Sequence, residues 1–293
     1  VAGDVRVETG FVRPPGDLVD TLVAAALRSA GVRRASSGRW VESGSSALVL
    51  VRDDVVVRVA RQPADSESMR RAQALVDELP PLPFAVPRSA GDAVEVDGYV
   101  AVPVRRLRGE PHPAGDGDPV QLRRLLDAVH GIDVAPLRPH LAPARHFAGG
   151  DAWETVLREE VVPRLDGAAR EEAVARVDAL AGLPAADRAV NHGDLAGSNV
   201  LWAGGRVSGV LDWDLTSWDD PAEDVAALVS WHGWSLLPEV ADRATAARAE
   251  VFRRSFPLQL VAFAVVHARP ALEVQRAVAR AQERLQADAA TRR

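Results

Sequence analysis

The chain has 293 residues, 47% apolar and 26% charged, with a formal net charge of −6; this is ordinary globular chemistry, and enough chain for two lobes with separate cores. The acidic balance argues against nucleic acid as the main partner, and cysteine is absent, which excludes disulfides, thiolate metal sites and a thiol nucleophile. No apolar run nears the about 20 residues of a membrane span and no basic-then-apolar leader opens the sequence, so the expectation is a cytoplasmic protein with no membrane partner.

Asp17 to Ala30 places Leu18, Leu22, Val23, Ala26 and Leu27 at helical spacing and stops at Gly31, which predicts a helix. Trp40-Val41, Ala47 to Val51 and Val55 to Ala60 read as strands, the last two joined by a tight turn at Asp53-Asp54. Ser66 to Leu79 reads as a helix closed by Pro80-Pro81, and two further strands, Val94 to Val96 and Tyr99 to Val104, flank Asp97-Gly98. The Gly-, Pro- and Arg-rich stretch Arg105 to Gly117 is the best boundary, separating 1–104 from 105–293. Beyond it the pattern is mostly helical: Pro119 to His130, Trp153 to Leu165, Ala168 to Leu180, Pro221 to Trp231, Ala241 to Phe256 and Gln259 to Ala289. The expected class is α+β, with a small strand-rich N-lobe and a larger helical C-lobe.

Two short apolar strands in the helical half carry polar groups: Val190-Asn191-His192-Gly193-Asp194-Leu195-Ala196-Gly197-Ser198-Asn199, then Val210-Leu211-Asp212-Trp213-Asp214. Asp194, Asn199 and Asp212 form an oxygen-rich set that can hold Mg2+ on a nucleotide's phosphates and leave one carboxylate to orient a hydroxyl. A zinc hydrolase built on His192, Asp194 and Asp212 lacks further ligands at metal spacing. Lysine is also absent, since all 35 basic residues are arginine; a phosphate-binding cation here must be Arg, which grips phosphate bidentately.

His192-Gly193-Asp194-Leu195 with Asn199, followed by Asp212-Trp213 and Asp220-Pro221-Ala222-Glu223-Asp224, resembles the two signatures of the aminoglycoside phosphotransferase family, antibiotic kinases of the two-lobed protein-kinase-like fold. Leu82-Pro83-Phe84-Ala85-Val86-Pro87 and Val207-Ser208-Gly209 are most similar to the macrolide phosphotransferases within it. The layout match covers nearly the whole chain, and the specific motifs cover Asp194 to Asp224.

The resemblance implies roles. Asp194 would be the catalytic base, Asn199 and Asp212 the Mg2+ ligands, and His192 a brace for the loop. Asp214, Asp220 and Asp224 are read as fold-holding acceptors. Glu42-Ser43-Gly44-Ser45-Ser46 resembles the nucleotide-positioning loop, with Gly44, Ser45 and Ser46 letting backbone amides approach phosphate. Arg58 stands where the fold carries its phosphate-pairing cation, although a strand Arg flanked by valines also fits a solvent-facing residue. The helical Glu that usually anchors this cation is missing near Arg71 and Ala72; Glu67, one turn earlier, is the substitute assigned. Pro103 to Arg106, where a strand ends and the linker begins, would form the hinge, with Pro103, Val104 and Arg105 among the nucleotide-binding residues.

For the acceptor, Asp151 and Glu154, beside Trp153, Glu159 and Glu160, and the pair Trp231 and Trp234 could hold an amino sugar. Taken singly they also read as a solvated helix face and a core edge. The implied activity is transfer of the γ-phosphate of ATP or GTP, with Mg2+, to a hydroxyl of a macrolide or aminoglycoside antibiotic, conferring resistance. A metabolite kinase acting on an amino alcohol or sugar, or an inactive nucleotide-binding protein of this fold, remain alternatives. The partners expected are the nucleotide and a small acceptor, with the chain a monomer or homodimer.

Overall fold

A computed structural model describes residues 12–32, 38–42 and 44–290. The chain divides into two compact units, 1–78 with 85–108, and 79–84 with 109–293. The break after Arg108 and the assignment of 79–84 to the second unit were not in the sequence reading, which divided the chain at 104/105.

In the first unit, β1 (Arg39–Val41), β2 (Ala47–Val51), β3 (Val55–Ala60), β4 (Val94–Val96) and β5 (Tyr99–Arg105) form an antiparallel sheet in the order β1-β2-β3-β5-β4. Alternate side chains point to opposite faces, so each face builds its own core. Leu48, Leu50, Val55, Val57, Val59 and Ala101 meet the buried stripe Val19, Leu22, Val23, Ala26 and Leu27 of α1 (Gly16–Ser29). On the other face Ala47, Ala60, Val100, Val102 and Val104 pack with Met69 of α2 (Pro63–Glu78). α2 begins three residues before the expected Ser66, because Pro63, with φ already set for a helix and no amide to satisfy, suits the first turn.

The second unit is helical around two small sheets. β6 (Glu110–Pro111), β8 (Val200–Ala203) and β9 (Arg206–Val210) form one, and β7 (Ala189–Asn191) pairs with β10 (Ser217–Asp219) in the other. Between them run α3 (Pro119–His130), capped by Asp118 on the amides of Val120 and Gln121, α4 (Trp153–Thr155) and α5 (Gly167–Ala181). α4 continues through a π turn (Val156–Val161) and a 3-10 turn (Val162–Arg164), so the expected single helix over Trp153 to Leu165 is helical but unevenly wound. α6 (Ala222–His232), α7 (Leu237–Val240), α8 (Arg243–Val266) and α9 (Ala271–Ala290) complete the unit.

The expected helix break at Pro257 is not there. α8 runs through it, because Phe252, Ser255, Leu258, Val261 and Ala262 continue one buried face across the proline and offset the lost hydrogen bond. The helix stops at Val266, where Arg269 N donates to Ala264 O at 2.9 Å and Ala268 N to Val265 O at 3.1 Å. Ala268 takes φ +47°, and Pro270 follows, a C-terminal motif normally signalled by glycine. Among the described residues no helix is long and apolar enough to cross a membrane.

Candidate active site

β7 ends at Asn191, and the chain then turns through His192, Gly193 and Asp194. The turn is held from below by Asp224 in the first turn of α6, whose carboxylate accepts His192 N at 2.7 Å and Gly193 N at 2.9 Å. One buried and one part-buried amide thereby receive a charged acceptor, a stronger pairing than a neutral one. Gly193 has φ +82°, and a Cβ there would lie 2.5 Å from Leu215 O, so only glycine fits.

His192 is fully buried, its Nε2 2.9 Å from Leu211 O and its ring edge-on to Trp213 at 4.7 Å. Burial pushes its pKa down, against the pull of Asp224 and Asp194. A neutral imidazole donating from Nε2 presents Nδ1 as an acceptor, and Asp194 N donates to it at 3.2 Å. Trp213, itself buried, donates Nε1 to Val210 O at 3.1 Å. The two tandem motifs are thus stitched together by His192 and Trp213.

Asp194 and Asn199 meet directly. Asn199 Nδ2 donates to Asp194 Oδ2 at 3.0 Å and to Asp194 O at 2.9 Å. Burial raises the Asp194 pKa, while His192 and Asn199 oppose the shift. With its nitrogen committed to Asp194, the Asn199 amide has its oxygen left for a cation. Leu211 N donates to Asn199 O at 2.8 Å, which brings the next residue, Asp212, beside Asn199. Asp212 is exposed and left-handed, with φ +61°, a strained conformation for a non-glycine residue. One amide oxygen and one carboxylate are hard donors, which suits Mg2+ bound with nucleotide phosphates. Among the described residues no group of three or more His, Asp or Glu could hold a metal by itself.

Asp220 and Asp224 are structural acceptors. Asp220 takes Ala222 N at 3.0 Å and Arg248 Nε at 2.8 Å, and its carbonyl takes Asn191 Nδ2 at 2.8 Å. Between them Glu223 is buried, and its pKa is pushed up to about 8, by burial against the nearby Arg145 and further by Asp219, Asp224 and Asp220. Arg145, left-handed at φ +53°, lies over Trp153 at 4.5 Å and 3.9 Å from Asp219. None of this buried acid–arginine grouping was read from the sequence, because its members are distant in the chain.

Of the residues expected to hold the acceptor, Trp231 abuts the turn that carries Asp194 and Asn199. A Cβ on Gly197, in the 3-10 turn Gly197–Asn199, would collide with its indole, which is held by Nε1 donating to His112 O at 3.0 Å. Trp234 instead lies under Arg253 of α8 at 4.3 Å. Glu154 is paired with Arg158 at 2.8 Å, and Arg158 also reaches Asp178 of α5, so its charge is already answered. Asp151 is exposed on the 3-10 turn before Trp153.

In the first unit, Gly44, Ser45 and Ser46 lie in the turn before β2, and Ser43 lies outside the described residues. The turn is clamped by Arg61, a residue the sequence reading missed. Buried just after β3, Arg61 donates to Gly44 O at 2.9 Å, Glu42 O at 2.6 Å and Val12 O at 3.0 Å. Its only sequence signal was an arginine ending an apolar strand. Arg58 stands in β3 between Val49 of β2 and Val102 of β5. Glu67 is exposed, off the buried face of α2, and the structure does not bring it to Arg58; the face that turns inward carries Ser66, Met69, Ala72 and Gln73.

The hinge residues are committed to the sheet. Val104 pairs in register with Val56, Ala90 N donates to Pro103 O at 2.9 Å and Arg105 N to Arg88 O at 2.8 Å. Segment 88–90 thus covers the edge of β5 that Pro103 and Arg105 were expected to offer.

Residues 38–258 match the family model described as phosphotransferase enzyme family. Over 155 residues the chain is 40% identical to viomycin phosphotransferase of Streptomyces vinaceus, a match spanning 48% of the chain and 54%, about half, of that relative. Among solved structures, a GDP complex of an aminoglycoside 2'-phosphotransferase superposes with TM-score 0.76 at 15% identity, covering 95% of this chain and 100% of that one. A macrolide 2'-phosphotransferase from Brachybacterium faecium gives 0.65 at 21% identity, covering 89% and 97%. The fold is that of these kinase-like phosphotransferases, and the chain belongs to the phosphotransferase enzyme family.

Proposed function

We propose that the chain is an antibiotic O-phosphotransferase, moving the γ-phosphate of ATP or GTP to an acceptor hydroxyl. The carrying observation is the Asn199 side chain, which grips Asp194 through its nitrogen while Leu211 ties Asp212 alongside. Asp194 orients the acceptor hydroxyl and takes its proton as transfer completes. Asn199 and Asp212 would hold Mg2+, which neutralises phosphate charge when bound. Asp224, His192 and Trp213 keep the turn rigid, so its geometry precedes substrate binding.

The Gly44 to Ser46 turn, stiffened by Arg61, and Arg58 are assigned to the phosphates. Trp231, beside the catalytic turn, is the aromatic wall assigned to the acceptor. The acceptor class is supported by relatives named for viomycin and by solved relatives holding kanamycin or acting on macrolides. With Glu154 paired, a polycationic aminoglycoside finds fewer carboxylates than it needs, which favours an acceptor with few ammonium groups.

The test is nucleotide consumption with Mg2+, using ATP and GTP separately, over macrolides, aminoglycosides, viomycin and amino-alcohol metabolites. Turnover with one antibiotic class is expected. Turnover confined to a metabolite, or with nothing offered, overturns the antibiotic reading.

A further inference from the structure

Away from the catalytic turn, the middle of α8, the C-terminal half of α9, Arg176 of α5 and the segment from Ser230 to Trp234 line a groove of about 560 Å3, within the size range of small-molecule sites. Its lining is cationic: Arg176, Arg253, Arg254, Arg280 and Arg284 face it, against Glu250 and Asp288. Some of this charge is settled internally. Arg176 is bonded to Glu172 and Asp288 at 2.7 Å each, and Glu172 also takes Arg254 at 3.1 Å. Arg253 pairs with Glu250 at 2.9 Å and stacks on Trp234.

The α9 wall is different. Arg280 has no carboxylate in pairing distance among the described residues, and Arg284, one turn on, reaches only Asp288 at 3.5 Å, already shared with Arg176. Like charges at i and i+4 repel on a helix face, so the pair is best placed when an anion lies between or before them. Apart from Ser230 the rest of the lining is apolar, with Trp234, Phe256, Pro257 and Leu260, the last 61% exposed at mid-helix.

We propose that this groove binds a small organic anion, an acid group at Arg280 and Arg284 carried on an aromatic or apolar body lying along Trp234 and Leu260. The anion has two possible sources: an acid group on the phosphoryl acceptor itself, or a separate effector. The last turn of α6 adjoins both places, since Ser230 lines the groove, together with Trp234 just beyond the helix, while Trp231 rests against the catalytic turn.

The probe is 8-anilinonaphthalene-1-sulfonate, with neutral N-phenyl-1-naphthylamine as its uncharged counterpart, followed by fluorescence. Wild type should bind one sulfonate probe per chain in the groove. The double variant Arg280→Glu/Arg284→Glu should weaken it by roughly tenfold or more, as loss of charge-assisted bonds predicts, with melting temperature retained because both side chains are exposed. Arg280→Gln/Arg284→Gln should give a smaller loss in the same direction, and the neutral probe should bind all three proteins alike. Displacement of the sulfonate by the acceptor found in the turnover screen identifies the acceptor as source; simultaneous binding of both identifies a separate effector. Equal sulfonate affinity in wild type and both double variants overturns the proposal, and does so whether or not the chain transfers phosphate.

Discussion

Asp224 grips His192 by its backbone amide at 2.7 Å, and its second oxygen takes Gly193 N at 2.9 Å. The turn that carries Asp194 therefore rests on the first turn of α6. Asp224→Ala leaves the buried His192 amide and the part-buried Gly193 amide unpaired, the first costing about 1–3 kcal/mol and the second less. A fall of several degrees in melting temperature together with near-complete loss of turnover is expected. Asp224→Asn keeps one oxygen acceptor and should fall between. A variant as stable and active as wild type would show that the turn is held elsewhere.

Gly193→Ala places a side chain 2.5 Å from Leu215 O in a left-handed conformation. The conformation alone costs about 1–2 kcal/mol, and the collision must also shift the turn that carries Asp194. Turnover should drop far more than melting temperature. If both change little, Leu215 yields more easily than its position implies.

Glu223 gives stability a pH dependence of defined sign. Its folded pKa is raised from 4.5 to about 8, so the folded chain keeps a proton that the unfolded chain releases. That stabilisation is complete below about pH 4.5 and is lost as pH rises towards 8, at a slope of up to about 1.4 kcal/mol per pH unit. Glu223→Gln keeps a neutral side chain at every pH, so thermal melts from pH 5 to 9 should show the variant overtaking wild type on the alkaline side. Parallel curves for the two proteins would place the charged carboxylate in a solvated setting.

The strands of the first unit were legible because β2, β3 and β5 are bounded apolar runs, and α1 because one stripe of apolar residues repeats at helical spacing. The local motif around Asp194 was legible for a similar reason: its chemistry lies within about one turn of chain. What stayed hidden acts across distance. Arg61 looks like any arginine after a strand until its guanidinium is seen on the carbonyls of Glu42 and Gly44 and on that of the distant Val12. Glu223 looks like an ordinary acid in the first turn of a helix until its burial beside Arg145 is known. Pro257 advertised a helix end that packing overrode, while the true end used Ala268 where glycine would have announced it. Glu67 was assigned by counting along α2, and one residue's error in a helix turns a side chain by about 100°.

The division of labour between Asp194 and Asp212 is the centre of this account. The most direct measurement is nucleotide titration with Mg2+ beside turnover, for wild type, Asp194→Asn and Asp212→Asn. Asp194→Asn should bind nucleotide nearly as wild type does and lose roughly 100- to 10,000-fold in turnover, because the hydroxyl loses its base while the metal ligands stay. Asp212→Asn should weaken Mg2+-dependent nucleotide binding on the order of tenfold or more as well as turnover. Equal loss of nucleotide affinity in the two variants, or full turnover in Asp194→Asn, would contradict the separate roles.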